Sequence, residues 1–186
     1  LLMEFIVQVI EGTFYIWLFY NFNNVVNITP NRYFDWAITT PTMLIQLIFY
    51  LIYLHNKNKG TTEQLNFLKL FDENLITIIQ VLLLNWLMLL FGYLGEIGKI
   101  NKLFATFGGF VLFAFLYFYI YSKFIKGKKV IQNTIVFLVF VIFCAIYGIA
   151  YLADDKLKNL IYNVLDVFAK CFVGIGFWAY FAGLFK

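Results

Sequence analysis

Charge is what this sequence has least of. Only 13% of its 186 residues are Asp, Glu, Lys or Arg, whereas 63% are hydrophobic, and the mean hydropathy is +0.83. A soluble domain of this size has no interior large enough to hide that much apolar surface. Lipid must serve as solvent for much of it. The same scarcity argues against a nucleic-acid partner. The net charge is only +4, the lysines sit in short linkers, and neither a basic helix nor a Gly-rich phosphate loop is present. No nucleophile–base set and no metal-ligating cluster is found either, so the chain reads as no enzyme and no metal site is expected. The two cysteines, Cys144 and Cys171, both fall in apolar runs and read as small core residues rather than a disulfide. Internal repeats, low-complexity tails and a second domain are also lacking, and residues 1–186 read as one transmembrane unit.

Six apolar runs are long enough to span a bilayer, which takes about 20 helical residues. They are Leu1–Phe22, Asn31–His55, Asn74–Leu94, Leu103–Phe124, Val130–Leu152 and Leu157–Phe185. The linkers Asn23–Pro30, Asn56–Glu73, Gly95–Lys102, Ile125–Lys129 and Ala153–Lys156 hold most of the charge and turn formers. The first run begins at residue 1 with no start Met, polar lead or cleavage pattern, which leads us to expect a longer protein. Successive linkers alternate sides. Those after the second and fourth runs carry Lys57, Lys59, Lys69, Lys126, Lys128 and Lys129, with Lys123 at the membrane edge and Lys186 on the same side. The other side has Lys99, Lys102, Lys156 and Lys158. Lys-rich loops face the cytoplasm, so a multi-pass membrane protein with a cytoplasmic C-terminus is expected. Asn27-Ile-Thr29 is a glycosylation sequon on the outer side, but Pro30 and the nearby bilayer argue against its use.

Apart from His55, Lys123 and Lys158 at the run ends, few ionisable residues fall within the runs: Glu4, Glu11, Arg32, Asp35, Asp166 and Lys170. Each costs about 2.5–3.5 kcal/mol on insertion scales, so each is expected to face a polar interior and a partner. Asp166 precedes Lys170 by four residues, which places both on one helical face about 6 Å apart along the axis. Arg32 and Asp35 lie one turn apart. The four form a neutral set. From spacing alone, a structural ion-pair cluster in a transporter and a lysine poised for Schiff-base chemistry both remain open.

The segment at Arg32 reads Arg-Tyr-Phe-Asp-Trp-Ala-Ile-Thr-Thr-Pro-Thr-Met-Leu, which resembles the third helix of microbial rhodopsins. Tyr162-Asn-Val-Leu-Asp166-Val-Phe-Ala-Lys170 resembles their seventh helix. Gly92-Tyr-Leu-Gly-Glu-Ile-Gly98 is similar to the end of the fourth helix of proteorhodopsins, and Ala145-Ile-Tyr-Gly148 to the sixth-helix segment at the ring end of retinal. The wording Val-Gln-Val-Ile-Glu and Ile-Thr-Pro-Asn-Arg-Tyr-Phe-Asp-Trp further resembles the viral rhodopsins of giant algal viruses. The resemblance implies an all-α, seven-helix retinal-binding bundle, of which the six runs are the second to seventh helices and the first is missing.

What the resemblance implies for single residues is specific. Lys170 would hold all-trans retinal as a protonated Schiff base. Asp35 would be its main counterion and proton acceptor, Asp166 the second counterion, and Arg32 would screen both. Thr39 would hydrogen-bond to Asp35, and Trp36 would pack on the polyene. Thr40 and Asn85 match a pair that joins two helices. Met43, Met88, Gly92 and Tyr147 would line the chromophore. Two departures stand out. Outward proton pumps carry an acid eleven residues after the acceptor, where this chain has Gln46, and the family's sixth-helix Trp aligns with Cys144.

The first run offers a compensation. Glu4, Gln8, Glu11 and Tyr15 recur at three- and four-residue steps and form one polar stripe. Counting from the helix ends at about 1.5 Å per residue sets Gln46 at a depth between Glu11 and Glu4. Channelrhodopsins resemble this chain in carrying glutamates seven residues apart here. The stripe equally suits a face toward a neighbouring subunit or the headgroups. The resemblance also implies transport of protons or small cations by a homo-oligomer, trimer or pentamer. A light-driven outward proton pump rests on Asp35, Thr39, Arg32 and Asp166. A light-gated cation channel rests on the stripe and the missing donor. A photosensor is disfavoured because no transducer domain follows.

Overall fold

In lipid, every backbone N–H and C=O must be satisfied within its own segment, so apolar runs of this length fold as helices. The computed structural model describes residues 2–21, 28–61, 66–128 and 130–181, and they contain helices and turns but no strand. The helices are α1 (Leu2–Asn21), α2 (Thr29–Asn58), α3 (Phe67–Glu73), α4 (Leu75–Glu96), α5 (Lys102–Phe124), α6 (Ile131–Ala150), α7 (Asp155–Asp166) and α8 (Val173–Phe181). A π-helical turn, Val167–Phe172, joins α7 to α8 without a break. Six helices are long and apolar enough to cross a membrane, the sixth running from α7 through the π turn into α8. The molecule is an integral membrane protein. Asn27 of the sequon, Lys129, Lys186 and the last residues of the sixth run lie outside the described residues.

Polar side chains start several helices. Asp154 accepts from the Lys156 and Leu157 N–H groups at the head of α7, and Asn101 accepts from Leu103 at the head of α5. The turn between α4 and α5 passes through Gly98 at φ 72°, a left-handed conformation that suits glycine. The linker expected over 56–73 differs from the sequence reading. Helix α2 runs on to Asn58, and α3 occupies the linker's second half, capped by Asn66 and pinned by buried Leu70. A two-turn helix is too short for the hydropathy of its neighbours to reveal.

Proline inside α2 has a local remedy. Pro41 has no N–H to give the Ala37 carbonyl four residues back. The Trp86 indole donates to that carbonyl at 2.9 Å, which ties α4 to α2 at this point. The helices close a ring in the order α1, α2, α4, α5, α6 and α7, with α1 returning to the π turn and α8. Helix α2 also touches α5 and α6, so one face of it occupies the middle of the bundle. One apolar core fills the Lys-rich end, around Leu44, Ile48, Leu51, Ile78, Leu116 and Ile120. A smaller aromatic cluster, Tyr33, Trp36 and Tyr162 with Tyr147 against it, fills the opposite half. Between the two lie the buried charges.

Candidate functional site

The π turn presents Lys170 inward at 3% exposure. Its amine forms three ion pairs: with Glu11 Oε2 from α1, with Asp35 Oδ2 from α2 at 3.0 Å, and with Asp166 Oδ1 from α7 at 3.3 Å. A cation in a low-dielectric interior needs such partners. The two aspartates were expected beside the lysine, whereas Glu11 was read as part of the polar stripe on the first run, with Gln46 at a depth between it and Glu4. Helix α1 turns its polar stripe toward the last helix rather than toward a neighbour, and this turns Glu11 onto the amine.

Asp166 has the fuller set of bonds. Arg32 Nη1 lies 3.1 Å from its Oδ2. The Tyr15 hydroxyl donates to Oδ2 at 2.7 Å and the Tyr147 hydroxyl donates to Oδ1 at 2.6 Å. Arg32 also donates to Tyr15, to Asn159 Oδ1 at 3.2 Å and to Asn163 Oδ1. Asn159 and Asn163 follow the same face as Asp166 and Lys170, at steps of four, three and four residues. That spacing is legible in the sequence, but neutral Asn carries no insertion cost high enough to attract notice. By contrast, Asp35 Oδ1 and Glu11 Oε1 are buried with no hydrogen-bond donor among the described residues.

Two expected contacts differ in detail. Thr39 donates at 3.0 Å to the main-chain carbonyl of Asp35, not to its carboxylate. A threonine in a helix reaches the carbonyl four residues back most easily, because the hydroxyl already lies over that turn. Arg32 pairs with Asp166 and, among the described residues, makes no ion pair with Asp35. Lys158 also differs. Counted among the lysines of one surface, it is 1% exposed, with its amine 2.6 Å from Glu96 Oε1 and 2.8 Å from Asp155 Oδ1. The helix starts at Asp155, two residues before the expected run, so Lys158 lies in its first turns and reaches sideways to α4.

Beyond the Lys170 amine lies a mostly apolar cavity between α2, α4, α5 and α6. Trp36, Thr40, Met43, Asn85, Met88, Gly92 and Tyr147 all line it, as does Lys170. Asn85 donates to the Thr40 hydroxyl at 2.8 Å, joining α4 to α2. A Cβ on Gly92 would meet the Tyr33 ring, so glycine here allows the aromatic wall to close in. Trp36 stands edge-on to Tyr33, Tyr147 and Tyr162, with centroids 5.1, 5.8 and 5.1 Å away. Cys144 lines the same wall. Cys144 stands at the position that aligns with the family's sixth-helix Trp, whereas Tyr162 was not foreseen as a lining residue, since it reads as ordinary packing.

A second cavity adjoins the first on the Lys-rich side, and Met43, Phe140, Cys144 and Ala169 border both. Glu4 and Gln46 line it together. Gln46 Oε1 is buried with no donor among the described residues. Glu4 accepts from Gln8 Nε2 at 2.9 Å.

The sequence pattern of the bacteriorhodopsin-like proteins matches residues 1–184. Among solved structures, the crystal structure of the viral rhodopsin OLPVRII is similar at 33% identity with a TM-score of 0.82, over 99% of this chain and 82% of that one. No curated protein sequence matches.

Proposed function

Because the chain belongs to the bacteriorhodopsin-like family of retinal proteins, we propose that it is a light-driven outward proton pump, with Lys170 as the retinal lysine and Asp35 as the proton acceptor. The observation that carries this reading is the Lys170 amine, held 3.0 Å from Asp35, on a residue that lines a mostly apolar cavity. The residues present fit the cofactor. A retinal Schiff base is cationic at one end and a hydrocarbon over the rest. The site has carboxylates round the amine and Trp36, Met43, Met88 and Tyr147 along the cavity.

Retinal, held as the all-trans Schiff base on Lys170, would supply light absorption and isomerisation of its polyene. The chain's own groups handle the proton. Asp166 is already engaged by Arg32, Tyr15 and Tyr147, which hold its carboxylate in place beside the Lys170 nitrogen. Asp35 keeps one oxygen without a donor, which leaves it ready to take the proton from the Lys170 nitrogen. Counting charge, Glu11, Asp35 and Asp166 face Arg32 and Lys170, so the set is neutral when one acid keeps its proton. From Arg32 a polar path continues through Asn159, which donates to Thr29 at 3.2 Å near the start of α2. On the other side Gln46 has no proton to give. Glu4, in the same cavity, is the acid available to return one.

A light-gated cation channel is the second reading. It is favoured by the same departure, an amide at Gln46, together with a glutamate stripe that faces the bundle interior. In both readings the Lys-rich end and the C-terminus face the cytoplasm, and identical chains assemble as a trimer or pentamer. Photocurrent against voltage in a retinal-loaded membrane decides. A pump drives outward current at zero ion gradient. A current that reverses with the gradient would overturn the pump in favour of the channel.

A further inference from the structure

Glu4 and Lys170 share a partner. The Gln8 side chain, through Nε2, donates to Glu4 Oε1 at 2.9 Å and to the main-chain carbonyl of Lys170 at 2.8 Å. That carbonyl belongs to the π turn and already accepts from the Val173 N–H. The junction is close-fitting. A Cβ on Gly174, one turn further on, would stand 2.7 Å from Glu4 Oε1 and 2.8 Å from Gln8 Nε2. Only a glycine leaves room there for both side chains against the last helix. Glu4 itself is 5% exposed and makes no ion pair among the described residues. Its hydrogen bonding therefore depends on a neutral amide whose other bond is to the backbone of the lysine.

We propose that Gln8 is a positioning residue that couples the main chain at Lys170 to the Glu4 carboxyl, so that movement of the last helix at Lys170 alters the hydrogen bonding of Glu4. The physical reason is the fork. One NH2 group serves two acceptors on different elements, Glu4 on α1 and the carbonyl on the last helix. A shift of the carbonyl pulls or frees the amide, and the carboxyl senses the change directly. A π turn suits this role, because its wider winding leaves its carbonyls open to side-chain donors and its register easily altered. Gln8 bonds the main chain of Lys170, whereas Glu11, Asp35 and Asp166 pair with its amine, so this coupling uses a contact separate from those ion pairs. It rests on the retinal reading above for the source of the movement.

Infrared spectroscopy on the retinal-loaded full chain in lipid tests this. The Glu4 carboxyl bands are those that vanish in Glu4→Gln. In Gln8→Leu these bands should shift in the dark, and their light-minus-dark difference should disappear, with the visible absorption band retained. Gln8→Asn, too short to reach both acceptors, should behave in the same way if the leucine variant does not fold. Gly174→Ala, with Gln8 intact, should shift the same bands by displacing both side chains. Glu4 bands and a light-induced change like those of the unaltered chain in Gln8→Leu or Gln8→Asn would overturn the coupling, as would Glu4 bands indifferent to light in the unaltered chain. The dark shift, measured also without retinal, tests the Gln8–Glu4 bond on its own. Absence of a retinal-dependent visible band would instead count against the retinal reading.

Discussion

Asp35 and Asp166 stand at nearly equal distances from the Lys170 amine, 3.0 and 3.3 Å, yet their other bonds set them apart. Asp166 is held by one arginine and two tyrosines, whereas Asp35 has an oxygen without a donor. On the proposed reading the two acids divide the work, Asp35 taking the proton while Asp166 anchors Arg32, Tyr15 and Tyr147. Lys170→Ala should abolish the visible band that appears on adding retinal, and a band that persists without added amine would remove Lys170 from its role. Asp35→Asn should keep the band but move it to the red, because an anion that stabilises the dark-state cation has gone. An unmoved maximum in that variant, together with an unchanged titration, would hand the counterion role to Asp166 or Glu11. Glu11 shows why a single residue can be underread. Its spacing from Glu4 suggests a relay along α1, and only the partner across the bundle reveals that it touches the amine.

At the scale of elements, α7 is fastened at two levels. Near its middle, Arg32 holds Asn159, Asn163 and Asp166. In its first turns, Lys158 is clasped by Glu96 of α4 and by Asp155. Both Lys158 and the Glu96 side chain are almost fully buried. Removing one member of such a pair leaves an uncompensated charge. Lys158→Met should therefore destabilise the bundle by about 3–5 kcal/mol, and adding Glu96→Leu should recover much of it. Thermal loss of the visible band measures both, and a single variant that melts with the unaltered chain would show the clasp to be dispensable. The stripe on α1 belongs to this scale too. Restoring an acid with Gln46→Glu should speed decay of the deprotonated state, since it puts a proton source in the cavity that Glu4 already lines. If the decay is unchanged, protons do not return through this cavity.

For the whole molecule, charge is distributed by end. His55, Lys57, Lys59, Lys123, Lys126 and Lys128 gather where α2 and α5 finish. Burial, and then the neighbouring Lys59, hold the Lys128 ammonium below its ordinary range. Lys123 and Lys128 rest over the Tyr119 and Phe124 rings at 5.7 and 5.4 Å. This crowding of cations suits the cytoplasmic surface. A protease site appended to the C-terminus should be cut only after the inner face is made accessible, and cleavage from outside intact cells would reverse the orientation.

Much of this protein is legible in one dimension. Burying a charge in lipid is expensive wherever it sits along a helix, so Arg32, Asp35, Asp166 and Lys170 declare themselves by being inside apolar runs at all. Helical spacing then puts Asp166 and Lys170 on one face, and the Glu4, Gln8, Glu11 and Tyr15 stripe on another, with no knowledge of neighbours. Which face meets which is a different matter. The rotation of α1 against the last helix is set by the sum of many side-chain contacts along both. That rotation brings Glu11 to the amine, Tyr15 to Asp166 and Gln8 to the Lys170 carbonyl. The burial of Lys158 likewise depends on Glu96, 62 residues away along the chain. The sequence by itself determined the membrane helices and the charges they carry, because those follow from local periodicity and the cost of ions in hydrocarbon. Only the tertiary structure decided the pairing of those charges, because partners on different helices are chosen by packing.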